Sequence, residues 1–212
     1  AAFHGYIAVD NKTISLVGRD SDDAPAGKQE IDAEGLMVTP GFVDIHTHYD
    51  GQATWDSLLT PSVYHGVSTV VMGNCGVGFA PVRPGDRDTL VRLMEGVEDI
   101  PGAALSEGIA WDWESLPKYM DALDAKPHSI DFAVQVTHDA LRVYVMGERA
   151  VFDEKANTED IAQMQHLTKE ALEAGAIGFS TGRSDVHRSA DGAWTPSSEA
   201  TSEELEGIAK AF

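Results

Sequence analysis

Val38-Thr39-Pro40-Gly41-Phe42-Val43-Asp44-Ile45-His46-Thr47-His48 is the stretch on which the fold turns. Its centre, Phe42 to Ile45, is a short β-branched and aromatic run entered through Pro40-Gly41. That pattern predicts a buried strand over 42–46, beginning just after a turn. Side chains two apart on a strand share a side, so His46 and His48 are expected to aim at one point beyond its C-terminal end. Two neutral imidazoles converging in this way are donors for a first-row metal such as zinc. A parallel α/β sheet or barrel builds its active site at that same end of its strands. Paired surface histidines are common, and H-x-H alone says little. The Pro-Gly entry adds weight, as does Asp44, an acid inside an apolar strand that is costly unless it is hydrogen-bonded.

The 212 residues suffice for one sizeable core or about one and a half domains. At 42% hydrophobic and 24% charged, the composition is that of an ordinary globular chain. The net charge of −20 argues against a nucleic-acid backbone or an anionic membrane as partner, and solubility is the simplest use for it. Cys75 is the single cysteine, which excludes an intrachain disulfide and fits a reducing, cytoplasmic location. No apolar run reads as a membrane span or a signal peptide. The sequence opens on Ala1 rather than Met, so the natural N-terminus is expected upstream.

Residues 1–37 read as small β-structure, with strands at Tyr6–Val9, Thr13–Val17 and Gln29–Ala33. Two or three such strands need something else to lean on. From residue 38 onward, strands alternate with helices. A short helical connection is expected over Trp55–Leu59 and Ser62–His65, closed by Gly66. The strand Val67–Met72 runs into Gly73-Asn74-Cys75-Gly76-Val77-Gly78. This is not a phosphate loop: it departs from G-x-G-x-x-G, carries no Lys-Ser/Thr and opens no helix. Its glycines are expected to let the backbone turn tightly beneath a site. Amphipathic helices follow over Asp86–Glu95, punctuated by Gly96 and Pro101-Gly102, and over Glu114–Leu123, with Trp111 and Trp113 read as packing. The next strand, 130–136, ends in Thr137-His138-Asp139. A helix capped by Thr158 runs to Ala174, the strand 176–180 ends in Thr181-Gly182-Arg183, and Ser202 caps a last helix.

Four strands alternating with helices imply a parallel sheet, either an open doubly wound one or part of a TIM-type barrel. Polar clusters at each strand's C-terminal end favour the barrel. A barrel needs eight strands, so the chain is expected to be the N-terminal portion of a longer protein. Strand 176–180 should then form an open edge.

Pro40–His48 resembles the first-strand signature of the amidohydrolase superfamily of metal-dependent hydrolases. The similarity runs from about Gly35 to the C-terminus and is nearest the N-acyl-D-amino-acid deacylase group. Pro40–Asp50, Leu58-Leu59-Thr60-Pro61, Val70–Pro81 with its Gly-Asn-Cys-Gly element, and Gly178-Phe179-Ser180-Thr181 carry it. The resemblance implies a (β/α) barrel, with 38–212 as its N-terminal half and 1–37 as part of a small β-sandwich. Most of the superfamily bridges two metals with a carboxylated lysine after the fourth strand, whereas here that strand ends Ser180-Thr181-Gly182. The deacylase group uses the cysteine of Gly-Asn-Cys-Gly instead, which implies His46, His48 and Cys75 as ligands for one or two ions, zinc foremost. Asp50, His138 and Arg183 are candidates to face substrate, and His187 reads as a surface or substrate-side residue. The resemblance also implies two further histidines and a general-base aspartate beyond Phe212.

The implied activity is metal-dependent hydrolysis of the amide bond of small N-acyl-D-amino acids. Two other hypotheses stand beside it: a degenerate, non-catalytic barrel fragment with a binding role, and an open α/β ligand-binding domain. For Cys75 the plain alternative is a buried, inert small hydrophobe.

Overall fold

The computed structural model describes residues 2–151 and 154–212 and divides into two compact units, Ala1–Pro40 and Gly41–Phe212. In the first unit, β1 (Gly5–Asp10) and β2 (Thr13–Arg19) form an antiparallel hairpin with a bulge between Ala8 and Val9. Asn11 and Lys12 turn it with positive φ. The third strand expected over Gln29–Ala33 does not form: these residues have no ladder partner, and Ile31 is 84% exposed.

The second unit holds one parallel sheet in the order β3 (Phe42–Asp44), β4 (Val67–Met72), β5 (Asp131–Thr137), β6 (Gly178–Ser180). The strands lie side by side in chain order. A doubly wound sheet reverses direction at a switch point, and this one does not. It is a curled half-barrel of the TIM type. Between the strands run α1 (Arg87–Glu98), α2 (Gly102–Gly108), α3 (Leu116–Asp124), α4 (His138–Met146), α5 (Glu148–Val151) and α6 (Thr158–Glu173), with α7 (Ser202–Ala209) after β6. No helix among the described residues is long and apolar enough to cross a membrane.

The amphipathic stripes bury as their spacing requires. Leu90, Leu93 and Met94 of α1 and Leu116, Tyr119 and Leu123 of α3 share one core with Val70 and Met72 of β4 and Val134 and Val136 of β5. Trp113 is packed in as well, its indole N–H donating to the Phe79 carbonyl at 2.8 Å.

Several local expectations shift. The first strand ends at Asp44, not at residue 46, and it is an edge: Phe42, Val43 and Ile45 are 64, 58 and 73% exposed, because β3 pairs only with β4. β6 is the other edge. Trp55–Leu59 is not helical; single 3-10 turns form at Gln52–Thr54 and Ser62–His65. The Asp56 carboxylate holds the intervening loop by accepting from the amides of Leu58 and Thr60. Gly66 closes the second turn with φ 79°. The caps sit one residue earlier than expected. Asn157, not Thr158, caps α6 in a reciprocal box with Asp160, and Thr201, not Ser202, caps α7. The segment after β5 continues directly as α4, which the sequence pattern does not announce.

Helices α4 and α7 are joined by a buried polar network. Arg142 is 1% exposed and Glu204 0%, and the guanidinium donates to both oxygens of the carboxylate. His138, also 0% exposed, meets Glu204 Oε1 at 2.9 Å through Nε2 and Thr181 Oγ1 at 2.8 Å through Nδ1. Burial alone would raise the Glu204 carboxyl, but His138 and Arg142 together hold it below the usual range. Next to them, Asp139 accepts from the Ser197 amide at 2.6 Å, and burial pushes its carboxyl up to about 7.

Glu204→Ala strands the Arg142 charge and is expected to destabilise the full-length protein by about 3–5 kcal/mol in urea unfolding. Glu204→Leu combined with Arg142→Met should recover much of that loss, because it removes both charges together. For Asp139, the folded value near 7 lies above the ordinary 3.8. Its contribution is therefore complete below pH 3.8 and is lost as pH rises through about 7. Asp139→Asn, which keeps the acceptor for Ser197, should flatten the fall in stability between about pH 4 and 7.

Candidate metal centre

The strand ends at one edge of the sheet are stitched together by Asn74. Its side-chain N–H2 donates to the carbonyls of Thr47 (3.2 Å) and Val71 (2.9 Å), and its Oδ1 accepts from Gln135 Nε2 (3.0 Å). Thr47 adds a backbone bond (3.1 Å) and a hydroxyl bond (2.7 Å) to the Val71 carbonyl. The segment carrying His46 and His48 is thereby fixed against the segment carrying Cys75. Asp44 fills its expected need by accepting from the His46 amide at 3.2 Å.

Cys75 stands on a strained turn with φ +55°, a left-handed conformation uncommon for a side-chain-bearing residue. The turn is clamped from β6: the Gly76 amide donates to Ser180 Oγ at 3.0 Å, and that hydroxyl donates to the Gly73 carbonyl. Gly182 passes so close that a Cβ there would lie 2.2 Å from the Cys75 carbonyl oxygen. No side chain fits between these two backbones.

Among the described residues, His46, His48 and Cys75 form the one group with ligand-type atoms close enough to share an ion, all within 4.8 Å of one another. His46 Nε2 lies 3.2 Å from Cys75 Sγ. His48 is half-buried, and its two enclosed ring nitrogens have no hydrogen-bond partner. Burial first, then the rings of His46 and His187, lower the His48 pKa from 6.5 to about 4, so the imidazole is neutral and its lone pair is available. Burial and then the Glu98 carboxylate push the Cys75 thiol up from 9.0 to about 11. Such a thiol ionises near neutrality only when a cation sits beside it.

The other expected site residues lie apart from this trio. Asp50 is 2% exposed and packs behind the glycine-rich turn, beside the Gly73 amide and Gly78, where burial raises its carboxyl to about 7. His138 is enclosed in the network with Glu204 and Thr181. Arg183 is exposed on the loop after β6.

Two groups that the sequence did not single out for this place do reach the trio. Glu98, the last residue of α1, brings Oε1 within 3.1 Å of His48 Nε2. His187 approaches from the loop after β6, close enough to lower the pKa of His48 and to draw that of Glu98 down against burial. Both depend on Gly96. That residue reads as a helix stop, yet α1 runs through it to Glu98. Its lack of a Cβ serves close approach: a Cβ there would stand 2.2 Å from the Ser189 carbonyl carbon. The loop is further tied to α1 by the Ala190 amide on the Arg92 carbonyl (2.9 Å) and by the Arg92–Asp191 ion pair (3.2 Å).

The model of the amidohydrolase family matches residues 29–212. The chain is 36% identical over 199 residues to a D-aminoacylase of Alcaligenes xylosoxydans xylosoxydans, an alignment covering 94% of this chain and 36% of that protein. A solved D-aminoacylase described as having a binuclear metal centre superposes with a TM-score of 0.71 at 32% identity, over 93% of this chain and 36% of that one. The N-acyl-D-glutamate deacylase of Bordetella bronchiseptica, solved with zinc and a phosphonate inhibitor, gives 0.68 at 32% identity over the same shares. The chain thus spans about a third of the length of the relatives it matches. A half-barrel whose strand ends gather two histidines and a cysteine, and a family match over 29–212, lead to one conclusion: this chain belongs to the amidohydrolase family.

Proposed function

We propose that the protein hydrolyses the amide bond of N-acyl-D-amino acids at a divalent metal, zinc foremost, held by His46, His48 and Cys75. The observation that carries this reading is the convergence of these three side chains, with the two His48 ring nitrogens buried and unpartnered. The donor set suits zinc, which takes imidazole and thiolate together. Donor spacing agrees as well: an imidazole nitrogen and a thiolate on one tetrahedral zinc are about 3.5 Å apart given the usual bond lengths, against 3.2 Å for His46 Nε2 and Cys75 Sγ. When bound, such an ion supplies a water of lowered pKa and a Lewis acid for the amide carbonyl.

The chain's own residues do the holding. Asn74 and Thr47 fix the two donor-bearing segments relative to each other, so metal binding needs only side-chain adjustment to draw in donor atoms that lie within 4.8 Å of one another. Cys75 brings a negative charge where the strand ending at Ser180 brings no lysine. Asp50 and the glycines of residues 73–78 support the turn from behind. Arg183, exposed at the rim of the same strand ends, is suited to a substrate carboxylate; His138 acts from within the core through Thr181. The preference for N-acyl amino acids and for the D-enantiomer rests on the relatives, which are a D-aminoacylase and N-acyl-D-aspartate and N-acyl-D-glutamate deacylases. A purely binding role has no such support.

Assay of the full-length protein on paired N-acetyl-D- and N-acetyl-L-amino acids is expected to show turnover of the D-forms, abolished by a chelator and restored by zinc. Cys75→Ala and His46→Ala should each lower kcat/KM by more than the ~10–100-fold typical of losing an outer partner of a metal ligand. Equal turnover of the two enantiomers would defeat the D-specific assignment. Full activity and full metal content in Cys75→Ala would defeat the ligand role of that cysteine.

A further inference from the structure

The geometry points to Glu98 as a fourth protein donor to the ion held by His46, His48 and Cys75. This inference rests on the metal reading above and deepens it. Glu98 Oε1 stands 3.1 Å from His48 Nε2, yet that nitrogen makes no directed hydrogen bond. An oxygen and a nitrogen bound to one tetrahedral zinc are about 3.3 Å apart, given bond lengths near 2.0–2.1 Å. The observed approach matches the spacing of two donors on one ion and lacks the alignment of a donor and its acceptor; a small swing of the carboxylate would bring it to the trio, whose own ligand atoms lie within 4.8 Å of one another. The carboxylate also borders the Cys75 thiol, so it adjoins two members of the trio from α1, an element that carries neither of them.

The local electrostatics of α1 ask for a cation at this place. The C-terminal end of a helix carries partial negative charge, and carboxylates there are unfavourable without a compensating positive group. The last turn of α1 has no basic residue but holds Glu95 and Glu98, followed by Asp99. Glu95 is engaged by the Gly102 amide at 3.0 Å, and Asp99 is exposed. Glu98 faces inward with a side chain 22% exposed, and no Lys or Arg pairs with it among the described residues. Counted over the donors on this chain, two neutral imidazoles and one thiolate leave a divalent ion one positive charge in excess, which a carboxylate offsets. A half-buried uncompensated charge is costly, so the gain appears as metal affinity.

Cobalt(II) is the probe, added to the metal-stripped full-length protein. The near-ultraviolet thiolate-to-cobalt band reports Cys75, and the visible d–d bands report the number and kind of donors. Zinc affinity is read separately by competition with a chromophoric chelator. Glu98→Gln is expected to keep the thiolate band, alter the visible bands and weaken zinc binding tenfold or more. Glu98→Asp, which keeps the charge and shortens the reach, should give a smaller loss, and Glu98→Ala, which has no carboxylate, serves as the deciding variant if Glu98→Gln does not fold. Wild-type affinity and wild-type visible bands in the deciding variant would overturn the donor role of Glu98. If Cys75→Ala still loses the thiolate band in that case, the three-residue site stands without Glu98. Absence of the thiolate band from the wild-type protein would overturn the three-residue site together with the role of Glu98.

Discussion

Everything in the larger unit that bears on chemistry depends on one side chain, the carboxamide of Asn74. It bonds at once to the chain after β3, to the end of β4 and to Gln135 of β5. Parallel strands stop at their C-terminal ends with unpaired carbonyls, and a site built there needs those carbonyls satisfied without filling the space in front of them. A primary amide does so compactly, with two donors on one side and an acceptor on the other. His46, His48 and Cys75 inherit their relative positions from this link, because each sits within two residues of a group that Asn74 or Thr47 fixes.

The second determinant is the distribution of charge. The molecule is strongly acidic, yet its core admits a cationic guanidinium, Arg142, enclosed with Glu204. Such an assembly contributes little net stability relative to apolar packing, but it tolerates no half measures, since either partner alone is a buried bare charge. It fixes α7 against α4, and through His138 and Thr181 it reaches the chain that follows β6. That chain passes Cys75 at Gly182 and continues into the loop bearing His187. This buried network thus sits two bonded contacts away from the candidate metal centre.

Much of this was legible in the sequence. The four parallel strands, the apolar stripes of α1 and α3, and the Pro-Gly-strand-His-x-His element all rest on short-range periodicity, which a chain displays openly. The convergence of His46 with His48 followed from their spacing, even though the strand stops at Asp44 and the histidines lie just beyond it. Cys75 came from resemblance to a family motif, since a single cysteine on a glycine-rich turn has no periodicity to declare it. Glu98 and the approach of His187 were not legible. Gly96 looked like the end of a helix because glycine usually is, and only the packed structure reveals that the missing Cβ makes room for another segment. Glu204 was hidden likewise: an acid in the first turn of a capped helix reads as a dipole partner, and nothing local says that an arginine from a helix about sixty residues earlier will enclose it.

The notch at Gly96 has a consequence for how variation at this protein should be interpreted. A methyl group there touches no ligand, no substrate and no charged atom. It would nonetheless wedge α1 away from the chain at Ser189, and the movement would be felt at both Glu98, one half-turn further along the helix, and His187, two residues back along the loop. The tolerance of the centre is therefore set at a position with no functional group at all. A substitution at that glycine would look like a mild change on a helix surface and behave like a change among the side chains gathered at the candidate centre.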